Sequence, residues 1–486
     1  MRTGSHSAVA LDLGSGSARA VLGVLSHGVL ETREVYRLPH RARREGGALC
    51  WDIEALTGAV RTGLERGREA LGVDPESIGI DTWGVDYGLL DHEGGLLRPP
   101  RAYRDERTTR HAAGLDSRIG REDAWRATGI APLTINTAYQ VFADLQEEPA
   151  LRRRVGRLLP LPDLLAHELG APVAVGRAIA STTELASPGA REWSAPMVEA
   201  VGLPPQWLPP LVDDVTVAGR VEGAGTAIVR PGGHDTACAV HALGLAPQET
   251  ALFISCGSWS LIGVALPEPL LDPRALKAGL TNEVRTDGGV RLLRNLTGLW
   301  LLQECQRAWR DDDVVSLIRA ADGTPSLGVV VDPDDGSFAR PGDMPDKLAR
   351  WCRERYGRAP DGRAQTVRLI LESLACAHAA YAEQLTRLAG SRLGPTAPIH
   401  LIGGGARNRL LAQMTATACG REVIVGAAEA SATGNLLAQL EALGITRPED
   451  RGQILNDSCP RTLLAPQDGA PAFDAMRARL AEVRRA

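Results

Sequence analysis

Polar residues that could bind phosphate follow the first apolar run of the chain. Asp12 ends the run that begins at Ala8, and Gly14-Ser15-Gly16-Ser17 precedes a second apolar run to Leu25. The pattern predicts a strand, a tight turn and a returning strand. Gly14 and Gly16 can take backbone angles that other residues avoid, so the turn could present N–H groups and two serine hydroxyls to an anion. An ordinary hairpin with a polar tip is the alternative. Asp12 could hold a metal ion through water.

A second group with chemical potential is Gly232-Gly233-His234-Asp235-Thr236, between a short predicted strand and an alanine-rich predicted helix. Asp235 would stand at the N-terminus of that helix, where the helix dipole keeps a carboxylate ionised. Such a carboxylate suits a general base. It also suits a helix cap, and the residues alone favour the cap. Both roles can coexist if one oxygen caps the helix and the other faces a substrate.

The pattern of strand, tight turn and strand at the start of the chain recurs about half a chain later. Thr250 to Leu266 again has the pattern of strand, turn and strand, with Cys256-Gly257-Ser258 at the turn. The repeat predicts two related halves, residues 1–245 and 246–486, each opening with a hairpin that could bind phosphate.

The elements around these turns alternate between strand and helix patterns, which predicts an α/β protein. A helix is predicted from Asp52 to Leu71, and a strand–turn–strand unit from Ser77 to Asp91. Another glycine turn, Gly403–Gly405, follows a predicted strand and leads to Asn408, a predicted helix cap. Open α/β sheets bind ligands at such strand ends.

Three further polar residues lie at predicted breaks between elements. Asp81 and Asp86 flank the break at Thr82-Trp83-Gly84, where they are equally consistent with surface turn residues and with a ligand-binding role. Asn295 is predicted at the head of a helix that ends at Trp309.

The composition fits an enzyme of two domains and gives no case for a nucleic-acid-binding surface. The chain has 486 residues, too many for one core, with 44% hydrophobic and 23% charged residues and a net charge of −5. No run of basic residues occurs. Lys277 and Lys347 are the only lysines, so mechanisms that need a catalytic or phosphate-binding lysine have almost no candidates.

Several familiar kinds of site are excluded because their sequence motifs are missing. The eight cysteines include no Cys-x-x-Cys pair, which argues against a zinc or redox centre and favours a reduced cytoplasmic protein. The sequence has neither a signal-like start nor an apolar run of membrane-spanning length. Arg19 stands where a dinucleotide fingerprint needs its third glycine, and the P-loop motif is absent. The possibility that remains is a nucleotide whose phosphates are held between two facing hairpins, one from each half.

Seven stretches, in order along nearly the whole chain, resemble the FGGY carbohydrate kinases, which share the fold of actin and the ribonuclease H-like ATPases. They begin at Val9, Ser77, Ala102, Gly232, Ile254, Leu292 and Leu401 and are VALDLGSGSARA, SIGIDTWGVDYGLLD, AYRDERT, GGHDTACAV, ISCGSWSLIGV, LLRNLTGLWLLQE and LIGGGARNRLLAQMTATACG. The resemblance implies two ribonuclease H-like domains with the active site in a cleft between them. It also implies transfer of a phosphoryl group from ATP, with Mg²⁺, to a sugar hydroxyl. DTWGVDYGLLD and LTGLWLLQE point to the branch that phosphorylates L-rhamnulose at its C1 hydroxyl.

The resemblance also assigns roles by position. Asp235 matches the catalytic base, and this match favours catalysis over capping. The sugar site corresponds to Gly84, His234, Asp235, Thr236 and Asn295. The first ATP hairpin corresponds to Ser15, Gly16, Ser17, Ala18 and Arg19. The other ATP contacts correspond to Ser258, Gln303 and Gly404.

Two positions depart from the family pattern. Ser258 replaces the threonine that is usual in close relatives but keeps the hydroxyl, so the phosphate contact should survive. Ala18 stands where relatives often have glycine, which would stiffen the first hairpin.

Two other functions stay open from the sequence. One is a kinase for another ketose, such as L-fuculose, L-ribulose or D-xylulose, because a few hydroxyl contacts set specificity. The other is an actin-like ATP-binding protein that modifies no sugar. The Gly-His-Asp-Thr stretch argues against the second. We expect a cytoplasmic monomer or homodimer that binds a ketose and ATP, and neither nucleic acid nor a membrane.

Overall fold

The computed structural model describes residues 4–485. The chain forms two compact units. The first contains the chain up to Glu249 together with Ala265–Leu292 and Ala430–Pro460. The second contains Thr250–Val264, Leu293–Glu429 and the chain from Arg461 onward. Both units are discontinuous in sequence, and the domain division at residues 245 and 246 stays a prediction.

The strands are, in chain order, β1 (His6–Gly14), β2 (Ser17–Ser26), β3 (Val29–Pro39), β4 (Arg43–Glu45), β5 (Ala48–Cys50), β6 (Ser77–Thr82), β7 (Tyr87–Leu90), β8 (Arg157–Pro160), β9 (Val175–Gly176), β10 (Leu211–Val212), β11 (Thr216–Arg220), β12 (Ala227–Arg230), β13 (Ala251–Cys256), β14 (Trp259–Leu266), β15 (Thr281–Val284), β16 (Val290–Thr297), β17 (Ile399–Ile402), β18 (Val423–Val425) and β19 (Thr462–Leu464).

The α-helices are α1 (Ile53–Leu71), α2 (Arg107–Asp116), α3 (Arg121–Thr128), α4 (Thr137–Glu147), α5 (Leu151–Arg154), α6 (Leu161–His167), α7 (Arg177–Ala180), α8 (Ala195–Val201), α9 (Asp235–His241), α10 (Pro273–Lys277), α11 (Trp300–Trp309), α12 (Val314–Asp322), α13 (Met344–Tyr356), α14 (Gly362–Ala389), α15 (Arg409–Cys419), α16 (Ala430–Ala442), α17 (Arg451–Ser458) and α18 (Ala470–Val483). Short 3₁₀ turns span Ser181–Thr183, Pro205–Trp207, Gly336–Phe338, Gly390–Arg392, Gly404–Arg407 and Pro448–Asp450. Within residues 4–485, no helix combines the length and the apolar character needed to cross a membrane.

The first unit is built on a sheet with the strand order β11-β12-β6-β1-β2-β3. β1 and β2 form the predicted antiparallel hairpin, and β6 lies parallel to β1 on its other side. β12 then pairs parallel with β6. This arrangement brings the carboxyl ends of β1, β6 and β12 to the same edge, which is where α/β sheets bind ligands.

Strand β1 is buried on both faces because its side chains alternate between two apolar clusters. Val9, Leu11 and Leu13 pack in the cluster that includes residues of α1. Ala8 and Ala10 pack on the other face, in the cluster that includes residues of α16. Alternation with period two is the geometry of a strand, and burial on both faces explains why nearly every residue of this run is apolar.

Helix α1 matches its predicted bounds. Asp52 is its N-cap and accepts a hydrogen bond from the backbone N–H of Ala55 at 3.0 Å. Gly72 ends the helix in the left-handed conformation, with φ at 75°.

The second sheet has the order β15-β16-β14-β13-β17-β18-β19. β13 pairs parallel with β17, β17 pairs parallel with β18, and β18 pairs antiparallel with β19. In the first sheet β1, β6, β12 and β11 follow the same sequence of pairings. The shared order agrees with the internal repeat predicted from the two hairpins.

Candidate active site

Three carboxylates converge where β1 and β6 end and α9 begins. Asp12 and Asp81 are direct partners on the parallel strands β1 and β6. The backbone N–H of Thr82 donates to the carbonyl of Gly233 at 2.9 Å, which fixes the loop before α9 against the end of β6. Burial, and then the negative charges of Asp12 and Asp235, raise the pKa of Asp81 well above its usual value.

The two strand carboxylates differ in how their charge is compensated. Asp12 pairs with Arg19, its cross-strand partner on β2. Asp81 accepts a hydrogen bond at Oδ2 from the amide of Asn435, on α16, at 2.5 Å. Its other oxygen, Oδ1, is buried and has no hydrogen-bond partner among the described residues. Asp12 and Asp81 are adjacent carboxylates, and their oxygens are the type of ligand that Mg²⁺ prefers. Mg²⁺ also keeps several waters when it binds to protein. Within residues 4–485, no group of three or more His, Cys, Asp or Glu is arranged to hold a metal by itself.

The first hairpin presents its predicted polar tip. Gly14 and Ser17 are paired across the turn, and Ser15 and Gly16 are exposed. Neither Gly14 nor Gly16 uses the left-handed conformation, so the predicted conformational reason for these glycines is wrong. A Cβ on Gly16 would meet no atom within 4 Å, so glycine here simply leaves the backbone N–H groups uncovered. Ala18 is buried in the core of the unit.

Asp235 is the first residue of α9 rather than its cap. The cap is His234, whose backbone is extended and whose side chain caps nothing. The Asp235 side chain is 32% exposed. Its Oδ1 atom accepts from the Thr236 hydroxyl at 3.1 Å and lies 3.2 Å from His234 Nε2. No protein group in the described part of the chain donates to Oδ2, so that oxygen is available to a substrate.

His234 connects Asp235 to a buried ion pair. Its Nδ1 atom lies 2.8 Å from Nη2 of Arg291 and 3.3 Å from Oε2 of Glu283. Arg291 and Glu283 lie 2.9 Å apart on the neighbouring strands β16 and β15. Burial disfavours the ionised form of Glu283, but the charge of Arg291 and the nearby His234 outweigh it, so the pKa of Glu283 lies below its usual value.

The turn that contains Gly84 is held in a strained shape. Val85 has φ at 69°, a left-handed value that is an outlier for a β-branched residue. The Thr182 hydroxyl accepts from the Val85 N–H at 3.2 Å, and the Thr137 hydroxyl donates to the Val85 carbonyl at 2.6 Å. A Cβ on Gly84 would lie 3.1 Å from Thr182. Strain held by surrounding contacts is typical of functional turns.

Asp81 and Asp86 are both buried, so the alternative of surface turn residues is wrong for both. Asp86 accepts from the indole N–H groups of Trp51 at 2.6 Å and Trp83 at 2.8 Å. Burial raises the pKa of Asp86 to about 6 even though these donors oppose the rise. Asp86 therefore fixes the aromatic side chains behind the Gly84 turn.

The predicted nucleotide residues of the second unit lie near one strand end. The Ser258 hydroxyl donates to Oε1 of Gln303 at 2.8 Å. The turn at Gly404 packs on Cys256, because a Cβ on the preceding Gly403 would lie 2.8 Å from the Cys256 carbonyl. A Cβ on Gly404 itself would meet nothing within 4 Å, so this residue faces open space.

Two predictions in the second unit have opposite outcomes. Asn408 is the N-cap of α15, as predicted, and accepts from the Leu411 N–H at 3.0 Å. The prediction that Asn295 heads a helix is wrong. Asn295 is an exposed residue of β16, and α11 begins only at Trp300. Leu292, Leu293 and Leu296 have the spacing of one helix face, but they are buried residues of this strand.

Glu283, Arg291 and Asn435 were not predicted from the sequence. Arg291 stands between Val290 and Leu292 in β16, and Glu283 precedes Val284 in β15. A charge beside apolar strand residues is a signal that could have marked them, since a buried charge requires a partner. Asn435 gave no such signal, because its contact with Asp81 joins residues 354 positions apart.

Glu184 supplies a prediction about stability in the same unit. Its side chain is buried, Oε2 accepts from Asn136 at 2.8 Å, and burial raises its pKa from 4.5 to about 8. The folded state thus keeps a proton that the unfolded state loses, so the free energy of unfolding should fall as pH rises from 4.5 to about 8. Glu184→Gln should abolish this decline and stabilise the protein at pH 8 by about 1–3 kcal/mol. Denaturant unfolding at a series of pH values measures it. The exposed Glu199→Gln is the control, and a decline that persists in Glu184→Gln would contradict the assignment.

Comparison with known proteins agrees with this architecture. Residues 7–240 match the N-terminal domain and residues 252–443 the C-terminal domain of the FGGY family of carbohydrate kinases. The chain is 35% identical over 478 residues to a rhamnulokinase of Bacteroides thetaiotaomicron, covering 96% of this chain and 97% of that protein. It is 36% identical over 443 residues to a rhamnulokinase of Pectobacterium carotovorum, covering 90% and 88% of the two chains.

Solved structures of the same fold show lower sequence identity. Xylulose kinase from Rhodospirillum rubrum superposes with a TM-score of 0.78 at 18% identity, covering 99% of this chain and 98% of that one. Plasmodium falciparum glycerol kinase with ADP gives 0.79 at 15% identity, covering 100% and 99%. These likenesses confirm the predicted two-domain α/β fold. Together with the two domain matches and the relatives aligned along nearly the whole chain, they show that this sugar kinase belongs to the FGGY family of carbohydrate kinases.

Proposed function

We propose that the chain transfers the γ-phosphoryl group of ATP to the C1 hydroxyl of L-rhamnulose, with Asp235 as the general base. The observation that carries the proposal is the Asp235 carboxylate, which is partly exposed and has both of its protein contacts on Oδ1. The similarity to rhamnulokinases supports the choice of sugar.

The proposed reaction needs an acceptor in line with the phosphoryl group, neutralised phosphate charges and a base for the acceptor proton. Oδ2 of Asp235 takes the proton of the C1 hydroxyl as the C1 oxygen forms a bond to the γ-phosphorus. The bond from the γ-phosphorus to the bridging oxygen breaks, and ADP leaves with that electron pair. His234 and Thr236 hold the carboxylate in place through Oδ1.

We assign nucleotide contacts within each unit by itself. In the first unit these are the backbone N–H groups and hydroxyls of Ser15–Ser17, with the Ala18 backbone, and Arg19. In the second unit they are Ser258, Gln303 and the turn at Gly404. A Mg²⁺ ion would be held by Asp12 through water, near Asp81, and would neutralise negative charge on the phosphates.

Ser258→Ala tests the nucleotide assignment. Loss of a hydroxyl that bonds a charged phosphate should raise the KM for ATP about 10-fold or more, while the KM for the sugar changes little. Initial rates at varied ATP measure it. Ser316→Ala, an exposed serine of the same unit, is the control. An unchanged KM for ATP in Ser258→Ala would remove this residue from the site.

A panel of ketoses tests the substrate. ADP release coupled to a colour reaction should be fastest with L-rhamnulose and slower with L-fuculose, L-ribulose and D-xylulose. A faster rate with one of the other sugars would reassign the substrate within the family. ATP hydrolysis indifferent to every sugar, with filaments that form as concentration rises, would favour an actin-like protein instead.

We further propose that the protein works in a reducing cytoplasm as a monomer or homodimer. All eight of its cysteines are free, which supports the compartment.

A further inference from the structure

We propose that Arg291 is a positioning residue that fixes the protonation of His234 and, through it, the orientation of the Asp235 carboxylate. The inference rests on the proposed function, in which Asp235 is the base. The residues that carry it are His234, Asp235, Glu283 and Arg291, and all four belong to the first unit.

The contact between Arg291 and His234 decides which ring nitrogen carries the proton. A guanidinium has donors and no acceptor, so Nη2 of Arg291, 2.8 Å from Nδ1, requires a lone pair on Nδ1. A neutral imidazole then has its proton on Nε2. The Nε2 atom lies 3.2 Å from Oδ1 of Asp235.

Glu283 offers the competing arrangement. Its Oε2 atom lies 3.3 Å from the same Nδ1 and would accept a proton there. The contact is longer than that of Arg291, and Oε2 also forms the ion pair with Arg291 at 2.9 Å. Arg291 thus donates to Nδ1 of His234 and also neutralises the charge of Glu283. Without Arg291, Glu283 would draw a proton onto Nδ1, and the ring would become either the other tautomer or an imidazolium.

The protonation of His234 affects Oδ2 of Asp235, which is the oxygen proposed to take the proton. The Thr236 hydroxyl donates to Oδ1, and Nε2 of His234 lies 3.2 Å from the same oxygen, so both neighbours of the carboxylate are on the Oδ1 side and Oδ2 is left for a substrate. If Nε2 lost its proton, its lone pair would face the carboxylate and repel it. If the ring became an imidazolium, it would stabilise the carboxylate and weaken it as a base. Both changes lower turnover more than ATP binding.

The test measures the protonation of His234 directly. ¹⁵N chemical shifts of the histidine rings in the labelled full-length protein report which nitrogen carries a proton, and His234→Gln assigns the signal among the 10 histidines. We expect the neutral Nε2–H form in the wild type, and the Nδ1–H form or an imidazolium in Arg291→Met. The kcat with L-rhamnulose should fall about 10- to 100-fold in that variant, while the KM for ATP stays within about twofold. Arg291→Lys, which keeps a charged donor, should restore part of the loss.

Removing Arg291 alone leaves Glu283 buried without its partner and could prevent folding. Arg291→Met with Glu283→Leu removes the pair as a whole, and it should fold, lose the fixed Nε2–H form and keep the lowered kcat. A wild-type ring that is not neutral Nε2–H, or an unchanged tautomer and kcat in the variants, would overturn the inference. If the wild type shows the Nε2–H form but phosphorylates no ketose, the proposed function fails while the assignment of His234 stands.

Discussion

Asp235→Asn should lower kcat about 10²- to 10⁴-fold, the range that a general base contributes, while the protein stays folded and still binds ATP. Asparagine keeps the size of the side chain and can accept at Oδ1 from Thr236, so this local contact survives. It cannot take a proton from the sugar hydroxyl. Steady-state rates with L-rhamnulose, together with ATP titration by calorimetry, measure the two effects separately.

The matched control is Asp123→Asn in the same unit, an aspartate whose side chain is 69% exposed. Asp123→Asn should leave the steady-state rate with L-rhamnulose and the binding of ATP unchanged. Turnover within threefold of the wild type in Asp235→Asn would reject Asp235 as the base. Loss of ATP binding together with turnover would instead assign it to the fold or the nucleotide site.

Gly434→Ala should destabilise the first unit by at least about 3 kcal/mol, at the upper end of the cost of overpacking. A Cβ at this position of α16 would lie 1.8 Å from the backbone carbonyl of Cys238 in α9. A backbone atom cannot rotate away as a side chain can, so the two helices must separate. Because α9 begins at Asp235, the same change should lower turnover. Denaturant unfolding and steady-state rates measure both.

Gly58→Ala is the contrasting control. Gly58 also lies inside a helix, α1, but a Cβ there would meet nothing within 4 Å. Alanine should therefore stabilise the protein by about 0.5–1 kcal/mol through helix propensity alone. Equal effects of the two substitutions would contradict the close approach of α9 and α16.

Elements set by local pattern could be predicted from the sequence. The hairpin from Ala8 to Leu25 corresponds to β1 and β2, because an apolar run broken by glycine and serine has few other folded forms. The caps at Asp52 and Asn408 follow from local hydrogen bonding, which needs only neighbouring residues. The resemblance to the FGGY family implies nucleotide contacts for Ser258 and Gln303, which stay a prediction; the structure shows a hydrogen bond between the two side chains.

Features that depend on distant residues could not be predicted. The apolar and small residues of α16 predict a buried helix, yet nothing in them indicates that it packs against α9 and β1 in the first unit. The ion pair of Glu283 and Arg291 behind His234 joins strands that follow the hairpin of the other half. Asn295 was misplaced because Leu292, Leu293 and Leu296 recur at the spacing of a helix face although they belong to a strand.

Phosphorus NMR of the product tests the central claim most directly. L-rhamnulose incubated with the protein, ATP and Mg²⁺ should give one new phosphate ester whose phosphorus couples to the two protons of the C1 methylene group. An ester at another carbon, or inorganic phosphate released without any sugar ester, would contradict the account.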